Sequence, residues 1–112
     1  MNWSTDLAAA GKNLDSLRKL QPDTGAGFTA LHHAALGEGA ISVKNKELMA
    51  LAIGISKQCV DCIGFHIRAA IAAGVTREEI AETISVCVLM GGGPSFMYGA
   101  KALEAYDQLS QR

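Results

Sequence analysis

Long apolar runs, basic clusters and a cysteine-rich framework are all missing from this sequence, and each absence removes a class of function. The longest nearly unbroken apolar run, Ile84 to Met90, falls far short of the roughly 20 residues that cross a bilayer. No membrane partner is therefore expected. Lysine and arginine number 10 against 11 acidic residues, for a net charge of −1, and no basic run occurs. Phosphate binding needs clustered positive charge, so nucleic acid is not expected as a partner either. Trp3, Tyr98 and Tyr106 are too few and too dispersed to form a base-stacking platform. Only three cysteines are present, Cys59, Cys62 and Cys87, and a small odd number does not make a secreted disulfide framework. The first residues, Met1-Asn2-Trp3-Ser4-Thr5-Asp6, lack the basic-then-apolar order of a signal peptide. A cytoplasmic location is the expectation.

Strand signals are scarce too, because no segment alternates apolar and polar residues without an equally good helical reading. What remains is helix. The 112 residues fit a single domain spanning positions 1–112, and 49% of them are hydrophobic. A domain of this size buries only about 60–70% of its unfolded surface. Some apolar surface should therefore lie between subunits, and a homo-oligomer is expected.

Six helices are predicted, joined by short connections into an all-α array. The first runs from an N-cap at Ser4 to Leu20, with Leu7, Leu14 and Leu17 inward and Pro22 as its stop. The second covers about Thr24 to Leu36, closed by Gly37 and Gly39. Ser42 caps the third, Val43 to Ile55, whose apolar stripe is Leu48, Leu51, Ala52 and Ile55. The fourth starts at about Cys59 and ends at Ala73, before Gly74. Thr76 and Glu79 form a capping box for the fifth, which continues to Met90. Its second half is apolar on nearly every face and should be central in the fold or in an interface. Gly91-Gly92-Gly93 breaks it, and Pro94 suits the first turn of a last helix, Ser95 to about Leu109.

The chemistry concentrates between Glu47 and His66. Cys59-Val60-Asp61-Cys62 is a C-x-x-C pair at the start of a helix. Residues three apart share a helix face, at a Cα separation of about 5 Å that a disulfide can span. Unpaired amides and the partial positive charge of a helix N-terminus favour thiolate, the nucleophilic form. His66 follows Cys62 by one turn on the same stripe and can accept or pass a proton. Glu47, on the preceding helix, returns across Ser56-Lys57-Gln58 to the same region, where a carboxylate can orient the imidazole. Two thiolates, an imidazole and a carboxylate also resemble a zinc ligand set. Structural zinc, however, usually draws its ligands from separated segments, often as two such pairs. Neither a metal nor an organic cofactor is expected.

This arrangement, Glu47, then Cys59-x-x-Cys62, then His66, resembles the motif of the alkyl hydroperoxidase D-like proteins, a branch of the carboxymuconolactone decarboxylase superfamily. The resemblance runs from about Phe28-Thr29-Ala30-Leu31-His32 through Met90-Gly91-Gly92-Gly93-Pro94. It implies an all-α fold, trimers or hexamers, and reduction of small organic hydroperoxides through the cysteine pair. By that resemblance Cys62 is the peroxidatic cysteine and Cys59 resolves its sulfenic acid as a disulfide. Glu47 and His66 form the proton relay, and an external dithiol or protein reductant restores the thiols. The best-known member of the family has a histidine just before its second cysteine, where this chain has Asp61. An adjacent anion opposes thiolate formation, so Asp61 is expected to point away from Cys62. Two alternatives stand beside this reading: decarboxylation of a small lactone acid, as in relatives without the cysteine pair, and a non-enzymatic redox sensor.

Other residues invite plainer readings. Cys87 lies in the apolar part of the fifth helix and reads as a buried structural thiol. His32 and His33 are adjacent, so only one can face inward; surface or capping roles are expected, with the approach of one of them to the centre as the alternative. Met90, Phe96 and Met97 read as packing residues. The Gly91-Gly92-Gly93-Pro94 turn lacks the Lys-Ser/Thr sequel of a phosphate loop and reads as a tight helix–helix turn.

Overall fold

A computed structural model describes residues 1–111, and the described residues form six helices and no strand. They are α1 (Trp3–Leu20), α2 (Pro22–Leu36), α3 (Val43–Ser56), α4 (Val60–Ala72), α5 (Arg77–Gly91) and α6 (Gly93–Leu109). The all-α expectation and the order of the six helices agree with this architecture. Local chemistry explains most of the boundaries. Ser42 Oγ accepts from the Asn45 amide at 3.1 Å and starts α3. Thr76 and Glu79 form both halves of the capping box that starts α5. Three starts differ from the sequence expectation, α6 among them, which begins at Gly93 rather than Ser95. Asn2, not Ser4, caps α1, its side chain accepting from the Thr5 amide. This lets Trp3 enter the helix and swing its ring into the core. Pro22 opens α2 directly, because its missing N–H costs nothing in a first turn, so only Gln21 separates α1 from α2.

The core is built around α4, which packs against α1, α3 and α6, while α5 closes the far side against α3 and α6. Leu51 and Ile55 of α3, Ile63 and Ile67 of α4, and Ile80 of α5 are fully buried. Ala70, Ala102 and Ala105 fill the spaces between them. The expected stripe of α3 is confirmed at Leu51 and Ile55, with Leu48 and Ala52 half-buried. Small residues set the close approaches. A Cβ at Gly64 would stand 2.6 Å from Leu7 Cδ2 and 3.0 Å from the Trp3 ring, so α1 seats on α4 only because this position is glycine. A Cβ at Gly99 of α6 would likewise strike the Ile84 side chain of α5.

The N-terminus is tied to the end of α6. Trp3 Nε1 donates to Glu104 at 2.7 Å, the Trp3 amide donates to Gln108 Oε1 at 2.9 Å, and Gln108 Nε2 donates to the Met1 carbonyl at 2.8 Å. Two ion pairs brace α5: Arg77 on Asp107 of α6, and Lys44 of α3 on Glu79. The Arg77 guanidinium holds the Asp107 carboxyl below its ordinary value. The Thr76 amide, then Lys44, does the same for Glu79.

Some apolar residues do not go where the sequence expectation put them. Leu7 is buried, but Leu14 and Leu17 are 42% and 50% exposed. Only the first turns of α1 are anchored, by Trp3 and Leu7, and its second half leads away toward α2. No residue of α2 is buried. Met90, Phe96 and Met97 are exposed as well, because Gly99, Ala102 and Ala105 make the inner face of α6 and turn the large side chains outward. Phe96 instead borders an apolar groove between α5 and α6, with Ile84, Val88 and Leu103. In the second half of α5, Cys87 faces the core while Val86, Leu89 and Met90 face out. Within one chain this segment is therefore not central on every face. Among the described residues, no helix is long and apolar enough to cross a membrane.

Candidate functional site

The turn between α3 and α4 places every residue of the predicted centre. Gln58 takes a positive φ of 58° and reverses the chain. The Cys59 amide then donates to the Gly54 carbonyl at 3.0 Å, which starts α4 antiparallel to α3. Cys59 is the N-cap of α4, one position ahead of the helix proper, and its Sγ accepts from the Cys62 amide at 3.2 Å. The two cysteines are joined as a disulfide across a Cα separation of 5.2 Å, within the range that a first helical turn allows.

The antiparallel return also carries Glu47 to His66. Glu47 Oε1 lies 2.7 Å from His66 Nδ1, and the carboxylate side chain is only 6% exposed. With Glu47 ionised, Nδ1–H donates and Nε2 is left as the free basic nitrogen of the ring. Burial of the carboxylate strengthens such a bond, since little water competes for it.

Above this pair lies a cavity of about 630 Å³ between α4 and the α1–α2 hairpin. Cys62 and His66 line it together with Leu14, Arg18, Phe28 and Phe65. Cys59 does not line it and is half-buried, whereas Cys62 is exposed. The two sulfurs therefore differ in access. Cys62 faces a chamber with a mixed apolar and charged lining, while Cys59 sits behind it under the Cys62 amide.

Asp61 also lines the cavity, as does Asp15 of α1. Asp61 stands in the first turn of α4. Of the two adjacent histidines, His32 is the one that approaches the site. It is exposed, but its ring stacks on His66 at a centroid distance of 6.1 Å and an interplanar angle of 16°, and it lines the same cavity. His33 only touches the edge of His32. Phe28 and His32, one turn apart on α2, share the face toward the cavity. That spacing was the available signal for both. Cys87 is buried as expected, its Sγ 3.7 Å from the Ala52 carbonyl, and burial raises its thiol above the ordinary value. Among the described residues, no three histidine, cysteine or acidic side chains gather as metal ligands would.

The model of the carboxymuconolactone decarboxylase family matches residues 22–105. The chain belongs to the carboxymuconolactone decarboxylase family. A family protein from Legionella pneumophila has a crystal structure that superposes with a TM-score of 0.94 at 43% identity, covering 97% of each chain. A second, from Thermotoga maritima, superposes with a TM-score of 0.83 at 26% identity, covering 94% of this chain and 90% of that one. An uncharacterized protein of Cupriavidus necator is 36% identical over 106 residues, covering 95% of this chain and 94% of its own. The paired cysteines, with glutamate and histidine at this spacing, agree with the alkyl hydroperoxidase D-like branch of the family.

Proposed function

We propose that this carboxymuconolactone decarboxylase family protein is a thiol-dependent peroxidase that reduces organic hydroperoxides. One observation carries the proposal: a C-x-x-C disulfide whose second cysteine lines a cavity of mixed apolar and charged character beside a Glu47-bound imidazole. In the reduced protein, Nε2 of His66 takes the Cys62 proton, and Glu47 stabilises the resulting imidazolium. The Cys62 thiolate attacks the terminal peroxide oxygen. An S–O bond forms, the O–O bond breaks, and the alkoxide leaves as an alcohol after taking a proton from His66. Cys62 is now a sulfenic acid. The Cys59 thiol attacks it, the disulfide forms and water leaves. An external dithiol or protein reductant then attacks the exposed Cys62 sulfur. It supplies two electrons and two protons and leaves oxidised to a disulfide. The Cys59 thiolate departs toward the Cys62 amide, which stabilises its charge and makes it the better leaving group.

The lining of Leu14, Phe28, Phe65 and Ala69 suits a substrate with an apolar tail. The exposed apolar groove between α5 and α6 supports a homo-oligomer, for which the family resemblance implies a trimer or hexamer. A cytoplasmic, reducing compartment fits a dithiol that must be regenerated. For the Thermotoga maritima relative, involvement in an antioxidative response has been suggested, which is in keeping with this reading.

The test is hydroperoxide consumption with a dithiol donor. Cys62→Ser should abolish turnover, and Cys59→Ser should support one attack and then stall. Full activity in Cys62→Ser would refute the assignment. Turnover of a lactone acid after complete thiol alkylation would identify a decarboxylase. Reversible disulfide formation without turnover of any hydroperoxide would identify a redox sensor.

A further inference from the structure

His32 lies outside the C-x-x-C motif, yet its ring lies nearly parallel to that of His66, with the centroids 6.1 Å apart. The His66 ring has three kinds of neighbour: Glu47 at its Nδ1 edge, the cavity, and the His32 ring on one face, nearly parallel at 16°. A single hydrogen bond to Glu47 holds one edge of the ring but leaves it free to tilt about that bond. A nearly parallel ring beside it limits that tilt.

We propose that His32 is a positioning residue that acts through His66. By stacking, it holds the imidazole in the plane of its Glu47 bond, facing the cavity that His66 shares with Cys62. This use of the stack rests on the proposed thiol chemistry, but the positioning itself does not. The placement is specific to His32. It is carried by α2, which buries none of its residues, so its side chain is not needed to hold the core. The neighbouring His33 meets only the edge of His32, and Phe28 one turn before it flanks the same chamber. Offset-stacked aromatic pairs contribute enough to hold a ring in one orientation, and losing such a pair corresponds to a rate loss of about three- to tenfold.

Two measurements test this. The first is the ring-proton NMR of His66 in the oxidised protein, where the cysteines do not react. A stacked ring shifts the His66 signals upfield. His32→Ala should abolish that shift, His32→Phe should preserve it, and His33→Ala should leave it unchanged. The second is alkylation of reduced Cys62 by iodoacetamide, scored at that residue by peptide mass spectrometry. His32→Ala should slow it about three- to tenfold at unchanged helical content, and His32→Phe should restore it to within about twofold. His66 signals that do not move in His32→Ala would overturn the proposal, whatever the peroxide activity. So would an alkylation rate equal to wild type in that variant, or a Phe variant as slow as the Ala variant. If both measurements come out as expected while no variant, nor the wild type, consumes hydroperoxide, the positioning role stands and the peroxidase reading falls.

Discussion

Replacing Glu47 with glutamine tests the relay at its least accessible member. The substitution is nearly isosteric, so it keeps the buried packing of a side chain that is 5% exposed as a residue. What changes is the partner of His66 Nδ1. A carboxylate there only accepts, which calls for the proton on Nδ1 and leaves Nε2 as the acceptor nitrogen. An amide can donate instead, and when it does the ring turns to the opposite tautomer, with Nε2 protonated and unable to take the Cys62 proton. Even in the correct tautomer, a neutral acceptor loses the charge-assisted part of the bond. Such bonds contribute about 1.5–3 kcal/mol, against about 1 kcal/mol for a neutral one. The difference of about 0.5–2 kcal/mol corresponds to roughly 2- to 30-fold. Together with the tautomer loss, the expected fall in initial peroxide consumption is about 10- to 100-fold, within the range general-base catalysis supplies. The assay is initial-rate peroxide consumption at saturating dithiol, with circular dichroism confirming that the fold is kept. Activity within twofold of wild type in a folded Glu47→Gln protein would refute the relay.

Three further outcomes follow from the packing and the ion pairs. Gly64→Ala should destabilise the fold by about 1–3 kcal/mol, because the added methyl meets Leu7 and Trp3, both fully buried, with no room to move aside. Chemical denaturation should show the loss, and unchanged stability would mean that α1 is not seated on α4 as described. Acid should weaken the bracing of α5. The Asp107 and Glu79 carboxyls are held below their ordinary values by Arg77 and by the Thr76 amide with Lys44. Their stabilisation is therefore fully present above the ordinary carboxylate range and is lost as pH falls through the lower, folded values. The urea midpoint should drop below about pH 4, and Asp107→Asn should flatten that drop. Cys87, buried and raised by desolvation, should resist alkylation in the native protein and react on unfolding. Native-state labelling at a rate matching Cys62 would contradict its placement.

Much of this was legible in the sequence, for physical reasons that differ by residue. The capping box at Thr76 and the Ser42 cap are local hydrogen-bond patterns, so they specify α5 and α3 without tertiary information. Cys59, Cys62 and His66 lie on one helix, where spacing alone fixes their common face, and Glu47 follows from the shortness of the α3–α4 turn. Leu14, Leu17, Met90, Phe96 and Met97 could not be placed this way. Periodicity identifies an apolar face but not whether anything in the same chain covers it, and here the second half of α1 diverges and glycine and alanine occupy the inner face of α6. Whether His32 or His33 reaches the centre was open for a related reason. The meeting of His32 with His66 depends on how α2 lies over α4, which no local pattern encodes.

The central claim is that Cys62 reduces a hydroperoxide and Cys59 closes the cycle, and a single turnover without any electron donor tests it most directly. Fully reduced protein is mixed with one equivalent of an alkyl hydroperoxide, and the thiol states are read by peptide mass spectrometry. The account predicts one equivalent of alcohol, one Cys59–Cys62 disulfide and an untouched Cys87 thiol, with Cys59→Ser stopping at a sulfenic acid on Cys62. Peroxide left unreacted, or a sulfenic acid found on Cys59 in the Cys62→Ser protein at the wild-type rate, would contradict it.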